Sequence, residues 1–154
     1  MIPPALLLTV YGLPGPQGSK RHVGGGRMIE SSAKVKPWRD RVKGTALDRL
    51  VNDRGWSCLT GPLRMESTFT FDRPKGHFGT GRNAGRLRPS APRYPHVVPD
   101  LSKLLRSTED ALTDAGVWRD DALVVQHTTA KAYAHSGGDA LDRPGAVLRI
   151  WRLT

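Results

Sequence analysis

The sequence predicts an α/β (α+β) fold: a small mixed β-sheet with two main helices in one domain spanning residues 1–154. Three observations predict it. Short apolar or alternating runs of strand length occur near both ends and in the middle. Two segments with apolar residues at helical spacing lie between them. The resulting order is strand, helix, strand, basic loop, helix, strand, strand, the pattern of a small α/β domain with a mixed sheet. The length of 154 residues fits one domain, and a hydrophobic content of 38% is enough for a modest core.

Each element has a local reason. Residues 5–12, Ala-Leu-Leu-Leu-Thr-Val-Tyr-Gly, are apolar and partly β-branched, which predicts a strand. Residues 13–26 are rich in Gly and Pro and predict a loop or hairpin tip. No Gly-Lys-Ser/Thr follows Gly24, Gly25 and Gly26, which excludes a P-loop. Residues 31–52 predict a helix with Ser32 as N-cap and Trp38, Val42, Ala46, Leu47 and Leu50 on its apolar side. Residues 62–72 alternate from Leu63 to Phe71, as a half-buried strand does. Residues 100–114 predict a second helix carrying Leu101, Leu104, Leu105, Ala111 and Leu112, with Asp100 as cap and Gly116 at the exit. Residues 122–125 and 130–134 predict strand, and 147–153 predict the last strand.

Charge narrows the function. There are 24 Lys+Arg against 14 Asp+Glu, a net +10. So basic a chain favours a polyanionic partner. Residues 73–93 hold six of the Lys and Arg and no acid, with frequent Gly and Pro. Such a stretch reads as a flexible basic loop, over about 73–98, that orders against a nucleic-acid backbone. The longest apolar run near the N-terminus, Ile2 to Val10, contains Pro3 and Pro4 and is far short of the ~20 residues that span a bilayer. No basic region precedes Ala5 as in a secretory signal. One cysteine, Cys58, allows no internal disulfide and no Cys-based zinc site, and His22, His77, His96, His127 and His135 show no metal-ligand spacing. A reducing, cytoplasmic setting, no membrane partner and no small-molecule cofactor are the expectations.

The acids are few, so their placement is informative. Asp100 opens the second helix, and Asp120 and Asp121 sit after it, before a strand. Carboxylates gathered this way suit a hard cation such as Mg²⁺, and in a basic chain that combination fits a metal-dependent phosphodiesterase. The spacing equally allows a plainer reading, with Asp100 as a cap and Asp120 and Asp121 as a polar turn.

Residues 99–121, Pro-Asp-Leu-Ser-Lys-Leu-Leu-Arg-Ser-Thr-Glu-Asp-Ala-Leu-Thr-Asp-Ala-Gly-Val-Trp-Arg-Asp-Asp, resemble the RusA family of Holliday junction resolvases. The family pattern is Asp-x-Asp-Asn/Lys-Leu, then Lys/Arg, then Asp-Ala-Leu, a Gly-aromatic stretch and Asp-Asp. Tyr11 to Arg21 look like the family's N-terminal strand and turn, and the strand holding Lys131 and the final strand follow in order. The resemblance implies a small, dimeric, Mg²⁺-dependent endonuclease of bacteria, prophages or phages that nicks four-way DNA junctions in symmetric pairs. It implies metal-binding roles for Asp100 and Asp121, with Asp120 beside the latter, and a catalytic or phosphate-holding role for Arg106. Asp110 matches the Asp of Asp-Ala-Leu and reads equally as a helix-surface residue. Lys20, Arg21, Lys103 and Lys131 are the further DNA-binding expectations.

The chain departs from the pattern at Ser102, where the family carries its second aspartate. A hydroxyl is a weaker, neutral ligand. Three readings remain open: Glu66 or Glu109 substitutes, Ser102 acts through a water, or the chain binds junctions without cutting them. A non-catalytic nucleic-acid-binding module is the competing class, and Ser102 is its best support.

Overall fold

The structure, a computed structural model, describes residues 2–18, 20–22, 24–25, 28–30 and 33–154, and of 20–22 and 28–30 only the backbone. A four-stranded sheet runs in the order β1-β6-β4-β5. Its strands are β1 (Leu6–Tyr11), β4 (Leu63–Phe71), β5 (Val124–Tyr133) and β6 (Gly145–Arg152). β2 (Lys20–His22) and β3 (Met28–Glu30) form a separate antiparallel hairpin. β4 and β5 run parallel, and β6 is antiparallel to both β1 and β4. The sheet is therefore mixed, as the element order predicts. A parallel neighbour needs a long crossover, and α2 (Leu101–Asp114) supplies it between β4 and β5.

The helices cover one face of the sheet. Leu6, Leu8 and Val10 of β1, Met65 and Phe69 of β4, and Ala146, Leu148 and Ile150 of β6 are all buried there. α1 (Val35–Val51) presents Val35, Trp38, Val42 and Ala46 to this layer. Trp38 is the anchor: its ring meets Phe69 edge-on at 6.3 Å, and its indole N–H donates to Thr108 Oγ1 of α2 at 3.0 Å. One aromatic thus joins both helices and the sheet with no buried donor left over.

Several local expectations shift. The Ser32 cap lies outside the described residues. α1 begins at Val35, after Lys34, with no side-chain cap; Pro37 sits in the first turn, where a missing N–H costs nothing. Leu47, expected on the apolar side, is 41% exposed. The strand expected from residues 122–125 and 130–134 is β5, which runs unbroken through the polar residues between them. Its polar middle, Gln126 to Thr129, is tolerated because β5 is a sheet edge with little covering it. Leu104 and Trp118 are fully buried core residues, and Leu105 and Val124 pack against that core. α2 ends in a Schellman turn: Gly116 takes φ +80°, with Val117 N–H donating to Leu112 O and Gly116 N–H to Thr113 O.

The basic segment carries its own framework. Two 3-10 turns, Lys75–His77 and Gly81–Asn83, are joined by bridges Phe78–Leu87 and Gly79–Ala84. Arg73 donates to Pro92 O at 2.7 Å and lies over the Tyr133 ring, and Arg88 Nε donates to Phe78 O at 2.8 Å. Turn hydrogen bonds rather than hydrophobic periodicity hold these residues, so the sequence pattern shows little of them.

Candidate active site

α2 and the edge strand β5 build the site together. Ser102, Arg106 and Glu109 stand at i, i+4 and i+7 and share one helix face. Glu109 reaches β5, where its Oε2 lies 3.3 Å from His127 Nε2. The 3-10 turn Asp121–Leu123 leads from α2 into β5.

Asp100 occupies the N-cap position, with φ −67° and ψ 137°, but its side chain makes no cap hydrogen bond. Its carboxylate instead stands 3.7 Å from Lys103 Nζ and is 57% exposed. Capping, the plainer reading of this residue, leaves its oxygens unexplained. For Asp120 the plainer reading holds: Oδ1 accepts from Ala122 N–H at 2.8 Å and caps the 3-10 turn.

Asp121 is the electrostatically strained member. Its carboxyl is held above the usual carboxylate range, first by loss of water around the group, then by the charge of Glu109. A hydrogen bond with Asp120 and the charges of Asp120 and Asp110 push the same way. The charges of three further acids thus bear on Asp121, in a chain whose net charge is +10. Asp100 is not among the charges acting on Asp121.

Arg106 is exposed on α2 and makes no ion pair among the described residues. Lys131, expected at phosphate, has two of its three N–H groups engaged, donating to Val97 O at 2.6 Å and Pro99 O at 3.0 Å. It straps the segment that enters α2 to β5. The side chains of Lys20 and Arg21 lie outside the described residues. Asp110 lines the groove between the helices, together with Arg39 and Asp114.

The two candidate substitutes for the missing carboxylate part company. Glu66 sits on the helix-free face of the sheet, where it accepts from Arg64 at 2.7 Å and pairs across the strands with Arg149. Glu109 lies on the Ser102 face and borders Asp121. His127 is the residue that sequence reading passes over: it lacks a spaced partner in the chain, and only β5 brings it to Glu109.

Carboxylate oxygens crowded enough to raise Asp121 are the right kind of donor for a hard divalent cation. They fall short in number. Among the described residues, no three His, Cys, Asp or Glu side chains converge as a metal-binding group. Ser102 removes one carboxylate from the pattern. The residues as placed in a single chain do not fit the cation.

A search of the curated proteins finds no match. The family model for the endodeoxyribonuclease RusA matches residues 12–139, from the loop after β1 to the loop after β5. The match contains α1, α2, the acidic corner and the basic segment; on this ground the chain belongs to the RusA family of endodeoxyribonucleases, the Holliday junction resolvases.

Proposed function

We propose that this chain binds four-way DNA junctions as a two-fold dimer and nicks them in symmetric pairs, in recombination, repair or phage DNA processing. A two-fold dimer matches the symmetry of a junction and sets two equivalent sites on opposed strands. One observation carries the reading: an exposed Arg106 and Lys103 stand on the helix that also carries Asp100 and borders Asp121. That is the mix of phosphate-holding and cation-attracting groups that phosphodiester chemistry uses.

Mg²⁺ is the cation the family reading calls for, and Ser102 leaves its site one carboxylate short. What the chain's own residues supply is binding. Lys103 and Arg106 hold the phosphate beside α2, Arg106 with a fork where the family usually has a point charge. The basic segment 73–98 contacts the DNA backbone further out. Its contribution is salt-dependent, with junction affinity falling steeply from low to moderate salt.

The second reading, a junction-binding chain that does not cut, rests on Ser102 itself. One experiment separates the two. A labelled junction is incubated with Mg²⁺ and either this chain or Ser102→Asp, and binding is measured in EDTA. Both bind, and Ser102→Asp cuts about 10- to 100-fold faster, the scale on which support of a metal site changes activity. Equal cutting by the two chains refutes the account of Ser102. Equal affinity for junction and linear duplex refutes the function.

A further inference from the structure

A cleft of about 590 Å³ opens directly beside Asp100. Leu13, Pro14, Pro16, Phe71, Val98 and Pro99 supply its apolar lining. Lys34, Lys103 and Asp100 supply the charged part of its lining. Apolar walls with a few charged groups at this volume are the marks of a small-molecule or side-group site.

The walls are held in place. Ser107 Oγ, fully buried, donates to Gly15 O at 2.6 Å, and Gln17 N–H donates to Lys103 O at 3.0 Å. A Cβ on Gly15 would stand 2.1 Å from Lys34 O, so only glycine permits this approach of loop to helix. Lys131 grips the carbonyls of Val97 and Pro99. A cleft whose walls are already ordered loses little freedom when it is filled.

We infer that this cleft receives an unstacked nucleobase of the DNA, next to the phosphodiester that faces α2; the inference rests on the junction-binding reading above. An apolar lining with one aromatic side chain takes the face of a base, and this kind of contact is indifferent to sequence at first order. Lys34 and Lys103 meet the phosphates on either side of it. The charge of the chain argues for DNA over an apolar peptide as the occupant: the neighbouring segment 73–93 holds six cations and no acid. A base already loosened at a branch point is cheaper to extract than one in continuous duplex. The cleft would therefore favour branched over linear DNA and set which nucleotide lies at the break.

The test uses a four-way junction with 2-aminopurine next to the branch point, in EDTA so that no strand is cut. Emission reports departure of the base from the stack, and anisotropy of an end label reports binding. Leu13→Ala removes part of the apolar lining, and Val98→Trp obstructs the cleft. Both residues are well exposed, at 49% and 82%, so neither change disturbs the core, and far-UV circular dichroism checks this. The unaltered chain raises emission on binding the junction. Each variant abolishes most of that rise and weakens junction affinity about tenfold, the factor that loss of one stacked base implies. Tight junction binding with flat emission, or a full rise with both variants, overturns the base cleft and leaves the function standing. Equal affinity for junction and linear duplex overturns both.

Discussion

The two faces of the sheet spend their charge differently. On the helix-free face, Arg64 lies over Trp151 at 3.9 Å and pairs with Glu66, and Arg149 makes a bidentate pair with Asp139. Glu66 and Asp139, the two carboxylates described there, each have a cation. On the helix-covered side, loss of water and then the charges of Glu109 and Asp120 push Asp121 upward. The first arrangement is self-sufficient and stabilises the fold. The second is unresolved within the chain, and an unresolved cluster of charge is where a ligand has something to contribute.

The largest effect separates the two faces by packing. Trp38, on the covered face, is 1% exposed and ties both helices to the sheet. Trp38→Ala should destabilise the protein by about 3–5 kcal/mol in urea unfolding. Trp151→Ala, on the helix-free face, loses mainly its stacking with Arg64 and should cost about 1 kcal/mol. Similar losses from the two changes would mean that the helix-free face is buried too, as it would be under a second copy of the chain.

Acid should sharpen the comparison next. Arg149 holds the Asp139 carboxyl below its usual range, chiefly by hydrogen bonding, with burial opposing and the guanidinium charge assisting. A lowered folded value means that this stability is fully present above the unfolded carboxylate value of about 3.9 and is lost as pH falls through the folded one. Asp139→Asn should therefore lower Tm at neutral pH, and the gap to the unaltered protein should begin to narrow below about pH 4 and close only below the folded value. Both partners are partly exposed, so the loss should be about 1 kcal/mol. A Tm gap that persists undiminished in acid would show that Asp139 acts through packing instead.

The smallest effect is the most pointed, because one chemical change should carry opposite signs on the two sides. Glu66→Gln removes the acceptor of Arg64 and should destabilise by about 0.5 kcal/mol. Glu109→Gln removes a repulsive neighbour of Asp121 and should stabilise by a similar amount. Thermal unfolding at about pH 8.5, above the range where imidazoles titrate, reads both. Added salt should shrink both differences toward zero. The same sign for both would erase the distinction between the two faces.

The positions of β1, α1, β4, α2 and β6 were legible from period and punctuation: all but β6 hide one face, and β6, buried on both faces from Gly145 to Leu148, shows as a short apolar run. β5 was legible from its apolar ends but not through its middle, since an edge strand with polar residues on both faces has no clean alternation. The basic segment 73–98 was legible as composition but not as structure, because turns held by backbone hydrogen bonds leave no hydrophobic signature. Asp100, Ser102, Arg106, Asp120 and Asp121 were singled out by a spacing that resembles a family; the charges bearing on Asp121 come from Glu109, Asp120 and Asp110 and do not include Asp100. Lys131 was legible as a cation, but not as the strap that its contacts with Val97 and Pro99 make it.

By itself, then, the sequence determined the order of the main elements, the basic character and the serine at position 102, since these depend on residue identity and local period. Tertiary structure alone decided that Glu66 and Glu109 lie on opposite faces, that His127 meets Glu109, and that Leu13 and Val98 wall one cleft. The physical reason is that these relations depend on the pairing of β4 with β5 and the packing of α2 across them, contacts between residues far apart in the chain that no local spacing encodes.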